Sequence, residues 1–182
     1  MLIDVATILG ELRRDHRNMT LLLDVVDAQS TRVSTGDEPD LELLRDIMHY
    51  MTVYSDAVHH PREDLVYEAM CEHGASVADG LEAVAGDHAD IAELGGRLRA
   101  DVEAAMAGSA VKRERLLRDL RDYAARLRRH MQWEEDDLFL RADALARDLP
   151  GWRIDTTGLA ASDPLFGAAT APSFANLASH LR

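Results

Sequence analysis

Four stretches of the chain place apolar residues three and four positions apart, which is the spacing of one buried face of an α-helix. In the first stretch Ile8, Leu12 and Met19 follow this spacing. The predicted helices span residues 2–29, 41–72, 75–107 and 110–147. Because the connections are short and an alternating strand pattern is almost absent, we predict an all-α fold, an up-down-up-down four-helix bundle.

Proline and glycine mark the breaks between these helices and one irregularity inside them. Residues 30–40, with Gly36 and Pro39, are predicted to form a loop. Pro61 lies inside the second helix, where its ring clashes with the carbonyl four residues earlier and one hydrogen bond is lost. We therefore expect a kink or bulge next to His59 and His60, and such irregularities are frequent at functional sites.

The last part of the chain differs in composition from the four helices. Residues 149–182 are rich in glycine, alanine, serine and proline, with scattered apolar residues such as Leu165 and Phe174. We predict a helical bundle over residues 1–148 and a partly irregular tail over residues 149–182. The tail is expected to pack on or beside the bundle, with a short helix near residues 174–180.

The net charge excludes two classes of partner. The chain has 20 Lys and Arg residues and 33 Asp and Glu residues, a net charge of −13, which repels nucleic acids and anionic membranes. No apolar run approaches the roughly 20 residues of a membrane-spanning helix, and the N-terminus lacks a signal-peptide pattern. The single Cys71 cannot form an internal disulfide. We expect a cytoplasmic protein, a monomer or weak dimer.

One pattern of histidine and glutamate occurs twice in the chain, with an offset of 71 or 72 residues. The matched pairs are His16 with His88, His59 with His130, and Glu63 with Glu134. Each copy contains Asp-His followed, 42 or 43 residues after the histidine, by HxxxE. Four imidazoles and two carboxylates on a duplicated helical hairpin are a suitable ligand set for two metal ions between paired helices.

The HxxxE spacing directs each histidine and its glutamate to one side of a helix, because residues four apart lie one above the other. Glu63 and Glu134 can then bridge two metal ions while each imidazole binds one. His16 and His88 have apolar neighbours on their helices, so both are predicted to face the core. Buried histidines and carboxylates are unfavourable unless they are paired or bind metal, which favours a metal site.

Each of these signals also has an ordinary structural explanation. A lone histidine on an apolar face is more often a core or boundary residue than a ligand, and single HxxxE pairs are common on helix surfaces. The repetition of the whole pattern favours the metal site. The acidic run at residues 134–137 is predicted to be mostly solvated, and only Glu134 in it has the spacing of a ligand.

His60 is the ambiguous ligand candidate. On an ideal helix it lies about 100° from His59, and the irregularity expected at Pro61 weakens any argument from helix angles. His59 is preferred because it keeps the 71-residue repeat. His60 is either an additional metal ligand or a hydrogen-bonding neighbour of the ligands, and both alternatives stay open.

Tyr67 and Tyr123 lie on the predicted ligand faces, four residues after Glu63 and seven before His130. Core packing with a hydrogen-bonded hydroxyl is the more frequent arrangement for such tyrosines. The other alternative is a functional role, in which the tyrosine orients a ligand or binds the metal itself and colours the protein.

The residues around the two HxxxE pairs, together with the Asp-Pro-Leu-Phe-Gly stretch at 163–167, resemble the hemerythrin HHE cation-binding family. The resemblance covers roughly residues 8–145. It implies a four-helix bundle that holds two iron ions, oxo- or hydroxo-bridged, whereas spacing alone would also allow zinc or manganese. The implied ligands are the six repeated residues, with His60 as the uncertain seventh.

Two departures from oxygen-carrying hemerythrins bear on the expected function. Those proteins have HxxxH on the third helix, whereas His88 is followed four residues later by Ala92, and they end with HxxxxD rather than HxxxE. Fewer imidazoles and more oxygen ligands favour higher oxidation states, as in the similar hemerythrin-like proteins of mycobacteria, for which peroxide breakdown has been proposed.

The resemblance therefore implies a protein that reacts with small molecules such as O2, hydrogen peroxide or nitric oxide. Catalase-like breakdown of hydrogen peroxide is the activity we expect first, with no catalytic residue beyond the metal ligands. The alternative is a protein that binds or senses iron, oxygen or nitric oxide without turnover, similar to the iron-sensing hemerythrin domain of a eukaryotic F-box protein.

Overall fold

Helices make up most of the structure, a computed structural model that describes residues 1–74, 79–159 and 163–181. The α-helices are α1 (Val5–Thr35), α2 (Leu41–Tyr50), α3 (His60–Cys71), α4 (Val84–Met106), α5 (Arg113–Trp133), α6 (Phe139–Asp148) and α7 (Ala175–His180). π-Helical segments at Met51–His59 and Glu134–Leu138 join α2 to α3 and α5 to α6, and 3₁₀ turns at Leu81–Ala83 and Pro172–Phe174 precede α4 and α7. The predicted all-α class is confirmed. Among the described residues, no helix is both long and apolar enough to cross a bilayer.

The first helix is longer than predicted. It begins after Asp4, whose carboxylate accepts a hydrogen bond from the amide of Ala6, and it continues to Thr35. The predicted loop over residues 30–40 was therefore wrong for residues 30–35, where the buried Val33 extends the apolar face. The helix ends at Gly36, whose φ of 92° is a left-handed conformation that glycine adopts without a steric penalty.

The irregularity expected near Pro61 is a π-helix over Met51–His59. The amide of His60 donates to the carbonyl of Ser55, five residues earlier, so the chain makes a wider turn just before the proline. Pro61 then lies in the first turn of α3, where its missing amide hydrogen has little consequence. The wider turn changes the angle between neighbouring side chains, and His59 and His60 are both buried.

Other boundaries differ from the prediction in smaller ways. The predicted start of the third helix, Ala75, lies outside the described residues, and α4 begins at Val84. The predicted fourth helix is α5 and α6 with an unpredicted π-helical segment between them. Leu2–Asp4 (β1), predicted as helix from Leu2, instead pairs antiparallel with Arg153–Asp155 (β2). Three-residue strands are too short to give an alternating pattern in the sequence.

Two apolar clusters fill the interior, and each of the four long helical stretches contributes to both. The first cluster includes Met19, Val58, Ile91 and Met131, and the second includes Leu12, Val66, Val84 and Leu138. Along α1 and α4 the chain passes from the second cluster to the first, whereas residues 41–71 and 113–148 pass in the opposite order. Successive helical stretches therefore meet the two clusters in alternating order.

The residues of the tail belong to the same core. Leu165, Phe174 and Leu177 are part of the first cluster, and Ile154 is part of the second. The short helix predicted near residues 174–180 is confirmed as α7. The tail thus contacts the helices that carry the histidines and glutamates, which lie between the two clusters.

Candidate metal centre

Seven polar side chains meet between the two apolar clusters. They are the six residues of the repeated pattern and the ambiguous histidine: His16, His59, His60, Glu63, His88, His130 and Glu134. Each is exposed by 7% or less. Such a concentration of buried imidazoles and carboxylates is unfavourable without mutual pairing or a metal ion.

The ligand atoms fall into two groups that share Glu63. One group contains His16, His59 and Glu63, and the other contains His60, Glu63, His88 and His130; within each group the ligand atoms lie within 4.8 Å of one another. Oε1 of Glu63 is 3.2 Å from Nε2 of His16 and 3.0 Å from Nε2 of His59. Its other oxygen, Oε2, is 3.4 Å from Nε2 of His88. Each oxygen of this carboxylate therefore faces a different group.

Glu134 faces the same two groups. Its Oε2 lies 3.5 Å from Nε2 of His16, and its Oε1 lies 3.4 Å from Nε2 of His130 and 3.8 Å from Nε2 of His88. The structure thus brings together all six residues of the repeat, with both carboxylates between the two sets of imidazoles.

Nδ1 of each repeated histidine contacts an acidic residue outside the predicted ligand set. Within each half, the acid of the Asp-His pair contacts the histidine of the HxxxE pair. Asp15 Oδ2 lies 3.4 Å from Nδ1 of His59, and Asp87 Oδ2 lies 3.3 Å from Nδ1 of His130. The repetition of aspartate before histidine was the signal in the sequence.

The remaining two contacts run between the halves, from the acid that follows each glutamate. Glu135 Oε1 is 3.1 Å from Nδ1 of His16, and Asp64 Oδ1 is 3.1 Å from Nδ1 of His88. Glu135, in the acidic run predicted to be mostly solvated, is partly exposed and still contacts a buried imidazole with one oxygen. A partner at Nδ1 fixes the tautomer and leaves Nε2 of each ring directed at the centre.

Opposite charges in the centre shift the pKa values of its groups. Burial alone would lower the pKa of His16, but its hydrogen bonds to Glu134, Glu135 and Glu63 raise it well above the ordinary range. Burial would also lower the pKa of His88. Its hydrogen bonds to carboxylates outweigh burial and raise this pKa to about 11. Burial would raise the pKa of Glu63, but the adjacent His59 and further histidine hydrogen bonds hold it well below the usual value. In the protein without metal, protons on His16 and His88 therefore balance charge on the carboxylates.

Four buried atoms at the centre make no well-aligned hydrogen bond with the described residues, although each lies 3.4–3.5 Å from an imidazole or carboxylate atom: Glu63 Oε2, Glu134 Oε2, His88 Nε2 and His130 Nε2. Buried polar atoms are almost always well paired, and a further partner at the centre would satisfy these four. Nitrogen and oxygen atoms of this kind are ligands for iron, manganese and zinc. The residues present therefore fit a metal ion as that partner.

His60 differs from the other four histidines. Its ring stacks on that of His88 with 4.1 Å between ring centroids, and its Nε2 lies 3.3 Å from the hydroxyl of Ser55. Its Nδ1 is 3.5 Å from the carboxylate of Asp56. Burial and the neighbouring His88 lower the pKa of His60, so its ring is neutral. The structure therefore brings both His59 and His60 into the centre, in different groups.

The two candidate tyrosines, Tyr67 and Tyr123, have different surroundings. Tyr67 donates a hydrogen bond of 2.9 Å from its hydroxyl to Oε1 of Glu134, so it contacts a residue of the centre. The ring of Tyr123 instead lies against Gly95 of α4, where an added Cβ would come within 3.1 Å of it. Tyr67 therefore occupies the position expected of a residue that orients a ligand, and Tyr123 packs in the first cluster.

Comparison with known proteins identifies the same region. A family model, the hemerythrin HHE cation-binding domain, matches residues 7–142. This range contains all seven buried side chains of the centre. Searches of curated proteins and of solved structures gave no match.

Proposed function

Since the chain belongs to the hemerythrin HHE cation-binding domain family, we propose that its buried histidines and glutamates hold two cations and that both are iron. The observation that carries this proposal is the set of four buried ligand atoms at the centre that make no well-aligned hydrogen bond. Metal ions would pair these atoms and would replace the protons that His16 and His88 otherwise hold.

The two groups of ligand atoms suggest how the residues divide between the cations. We assign His16 and His59 to one cation and His88 and His130 to the other, with Glu63 contributing one oxygen to each. Glu134, which also faces both groups, would be the second carboxylate shared by the cations, and the proposed irons would be oxo- or hydroxo-bridged.

An up-down-up-down four-helix bundle is the arrangement we propose around this centre. The alternating order in which successive helical stretches traverse the two apolar clusters supports it. So does the packing of α1 against α5, α2 against α4 and α4 against α5. In such a bundle, ligands from all four stretches converge on one interior point.

Hydrogen peroxide is the substrate we propose. Bound iron would supply electron exchange with oxygen species, which protein side chains do not provide. One H2O2 is oxidised to O2 and gives up two electrons and two protons, which reduce a second H2O2 to two waters, so no external reductant is needed. The chain orients the imidazoles through their acidic partners and holds Glu134 through the Tyr67 hydroxyl.

Oxygen release from peroxide tests the proposal. Protein loaded with two irons per chain should evolve O2 steadily, and Glu134→Ala should abolish the release. Asp136→Ala is the matched control, because Asp136 is an exposed acid two residues further along the same turn. Equal O2 release by the iron-loaded protein and by the Glu134→Ala variant would rule out this reaction at the centre.

The position of His60 favours a second candidate, which is reversible binding of O2 or nitric oxide, or iron sensing, without turnover. The sequence leaves His60 open as a fifth imidazole ligand, and the stacking of its ring on that of His88, with 4.1 Å between centroids, supports this alternative. In the family, five histidines are typical of proteins that bind oxygen reversibly. A reversible change in the absorption spectrum on adding O2, weakened in His60→Ala and without O2 release from peroxide, would select this candidate.

A further inference from the structure

A chain of buried side chains leads away from His59 toward the tail. Asp15, which contacts His59, accepts a hydrogen bond of 2.9 Å from the hydroxyl of Tyr54. The ring of Tyr54 stacks on that of Tyr50, with 5.3 Å between centroids and 27° between the planes. These residues are at most 1% exposed, so the connection from the centre to Tyr50 is completely internal.

The last contact in this series joins Tyr50 to the tail. The hydroxyl of Tyr50 donates a hydrogen bond of 2.9 Å to Oδ2 of Asp163. The other oxygen of Asp163 accepts hydrogen bonds from the amides of Leu165 and Phe166, which fixes the turn of the tail. Phe166 and Phe174 meet the Tyr50 ring edge-on, at 5.9 and 5.7 Å. The Asp163 carboxylate therefore both stabilises the turn of the tail and binds the tail to Tyr50.

The second half of the molecule does not share this connection. Asp87 occupies the position of Asp15 in the repeat, but its partner is Arg126, 2.8 Å away and also paired with Asp90 on the surface. Arg126 and Tyr54 are 72 residues apart, the same offset as His16 and His88. The two halves thus differ at the residue behind the aspartate: within the described part of the chain, Tyr54 continues toward the tail through Tyr50, whereas Arg126 pairs with surface acids.

We propose that the docking segment, Asp163–Leu177, is a positioning element for the metal centre that acts through Tyr50, Tyr54 and Asp15 on His59. The inference rests on the proposed function, since it concerns the His59 cation. Asp163 holds Tyr50, the stacked Tyr54 holds Asp15, and Asp15 fixes the ring of His59 with Nε2 toward Glu63. Metal binding and docking of the tail are therefore coupled.

The coupling acts in both directions. With a cation held by His59, the Nδ1 hydrogen of its ring would be more acidic, so its hydrogen bond to Asp15 would strengthen and the residues behind Asp15 would become more ordered. An ordered Tyr50 then presents its hydroxyl to Asp163. By linkage, the factor by which metal tightens docking equals the factor by which docking tightens metal binding, and such factors are commonly about 5-fold or more.

Hydrogen exchange measured with and without iron tests the proposal on the full chain. Iron per chain is determined by metal analysis, and exchange is followed at the amides of Leu165, Phe166 and Phe174. Loading with ferrous iron should slow exchange at these amides by about 5-fold or more. Asp163→Ala should weaken iron binding at one of the two positions by the same factor, measured by competition with a chelator.

Two conservative variants test the Tyr50–Asp163 and Tyr54–Asp15 hydrogen bonds separately. Tyr50→Phe removes the bond to Asp163, so the tail should exchange faster with and without iron. Tyr54→Phe leaves that bond and removes the one to Asp15, so the tail should remain protected while its response to iron disappears. Arg126→Ala is the matched control from the other half, and it should keep the response of the tail to iron.

The possible results distinguish this inference from the proposed function. Two irons per chain with identical exchange of the docking segment in both states would overturn the coupling and leave the metal centre intact. A response of the tail that survives in Tyr54→Phe would overturn the route through Asp15. Absence of bound iron would overturn both proposals. If a variant fails to fold, hydrogen exchange of the wild-type protein with and without iron still decides whether metal binding and docking of the tail are coupled.

Discussion

Oδ1 of Asp64 lies 3.1 Å from Nδ1 of His88, so an acidic residue of the first half orients an imidazole of the second. In the reverse sense, Oε1 of Glu135 in the second half lies 3.1 Å from Nδ1 of His16 in the first. The two halves of the repeat therefore do not form independent sites. Each supplies the residue that aligns one imidazole of the other.

Asp64→Ala is expected to weaken metal binding without removing a ligand. The His88 ring would lose the partner that fixes its tautomer, and loss of such partners typically lowers affinity by about 10–100-fold. Competition with a chelator of known affinity measures the change. Glu68→Ala is the control, because Glu68 is exposed one helical turn further along α3. Equal affinities of the two variants would show that the contact between the halves is dispensable.

Replacing Glu63 should reduce the number of bound metal ions more than replacing His16 does. Glu63 belongs to both groups of ligand atoms, whereas His16 belongs to one. We expect Glu63→Ala to lose both cations and His16→Ala to retain one metal ion per chain. Metal analysis of the two purified variants, both checked for helix content by circular dichroism, gives the stoichiometries. Two ions retained in Glu63→Ala would contradict the shared carboxylate.

The sequence predicted the residues of the centre better than their surroundings. The HxxxE spacing and the repeat identified six side chains that do converge, because helical geometry is local and the core position of His16 follows from its apolar neighbours. The contact of Asp64 with His88 and that of Tyr54 with Asp15 join residues distant in sequence. No local spacing specifies such pairs, since they depend on how the helices pack.

The same distinction explains the errors in the fold. The end of α1 depends on Gly36, and an assignment from composition placed it too early among polar residues. The short strands β1 and β2 exist only because their distant segments pair with each other. The irregularity at Pro61 was predictable, since a proline within a helical pattern is a local signal.

Tyr67 is expected to orient Glu134 rather than to bind iron. Burial and the nearby carboxylates of Glu63 and Glu134 raise the pKa of Tyr67, so its hydroxyl stays protonated and donates to Glu134. The iron-loaded protein should therefore show no tyrosinate charge-transfer band from this residue. Tyr67→Phe should leave the visible spectrum unchanged and weaken metal binding by less than loss of a ligand does. A visible band that disappears in Tyr67→Phe would identify the tyrosine as a ligand instead.

Metal binding should strengthen as pH rises. The pKa of His88 is raised to about 11 and that of His16 is also raised, so these rings hold protons that a cation must displace. Binding therefore releases protons, and affinity falls as the solution becomes more acidic. Chelator competition between pH 6 and pH 9, together with proton release into a weak buffer, measures the effect. Affinity independent of pH would mean that the imidazoles are already neutral without metal.

Stability of the metal-free protein should show the opposite dependence on pH. A histidine whose pKa is raised in the folded state stabilises it fully below its ordinary value of 6.5, and for His88 this contribution is lost as pH rises toward about 11. The lowered pKa of Glu63 stabilises the fold above its ordinary value of 4.5 and is lost as pH falls below it. The free energy of unfolding of the metal-free protein should therefore be greatest between these values and should decrease from pH 6 to pH 9. Urea unfolding at both pH values measures it, and the iron-loaded protein should lack the decrease, because its imidazoles are deprotonated at both. A decrease of equal size with iron bound would place the responsible groups outside the centre.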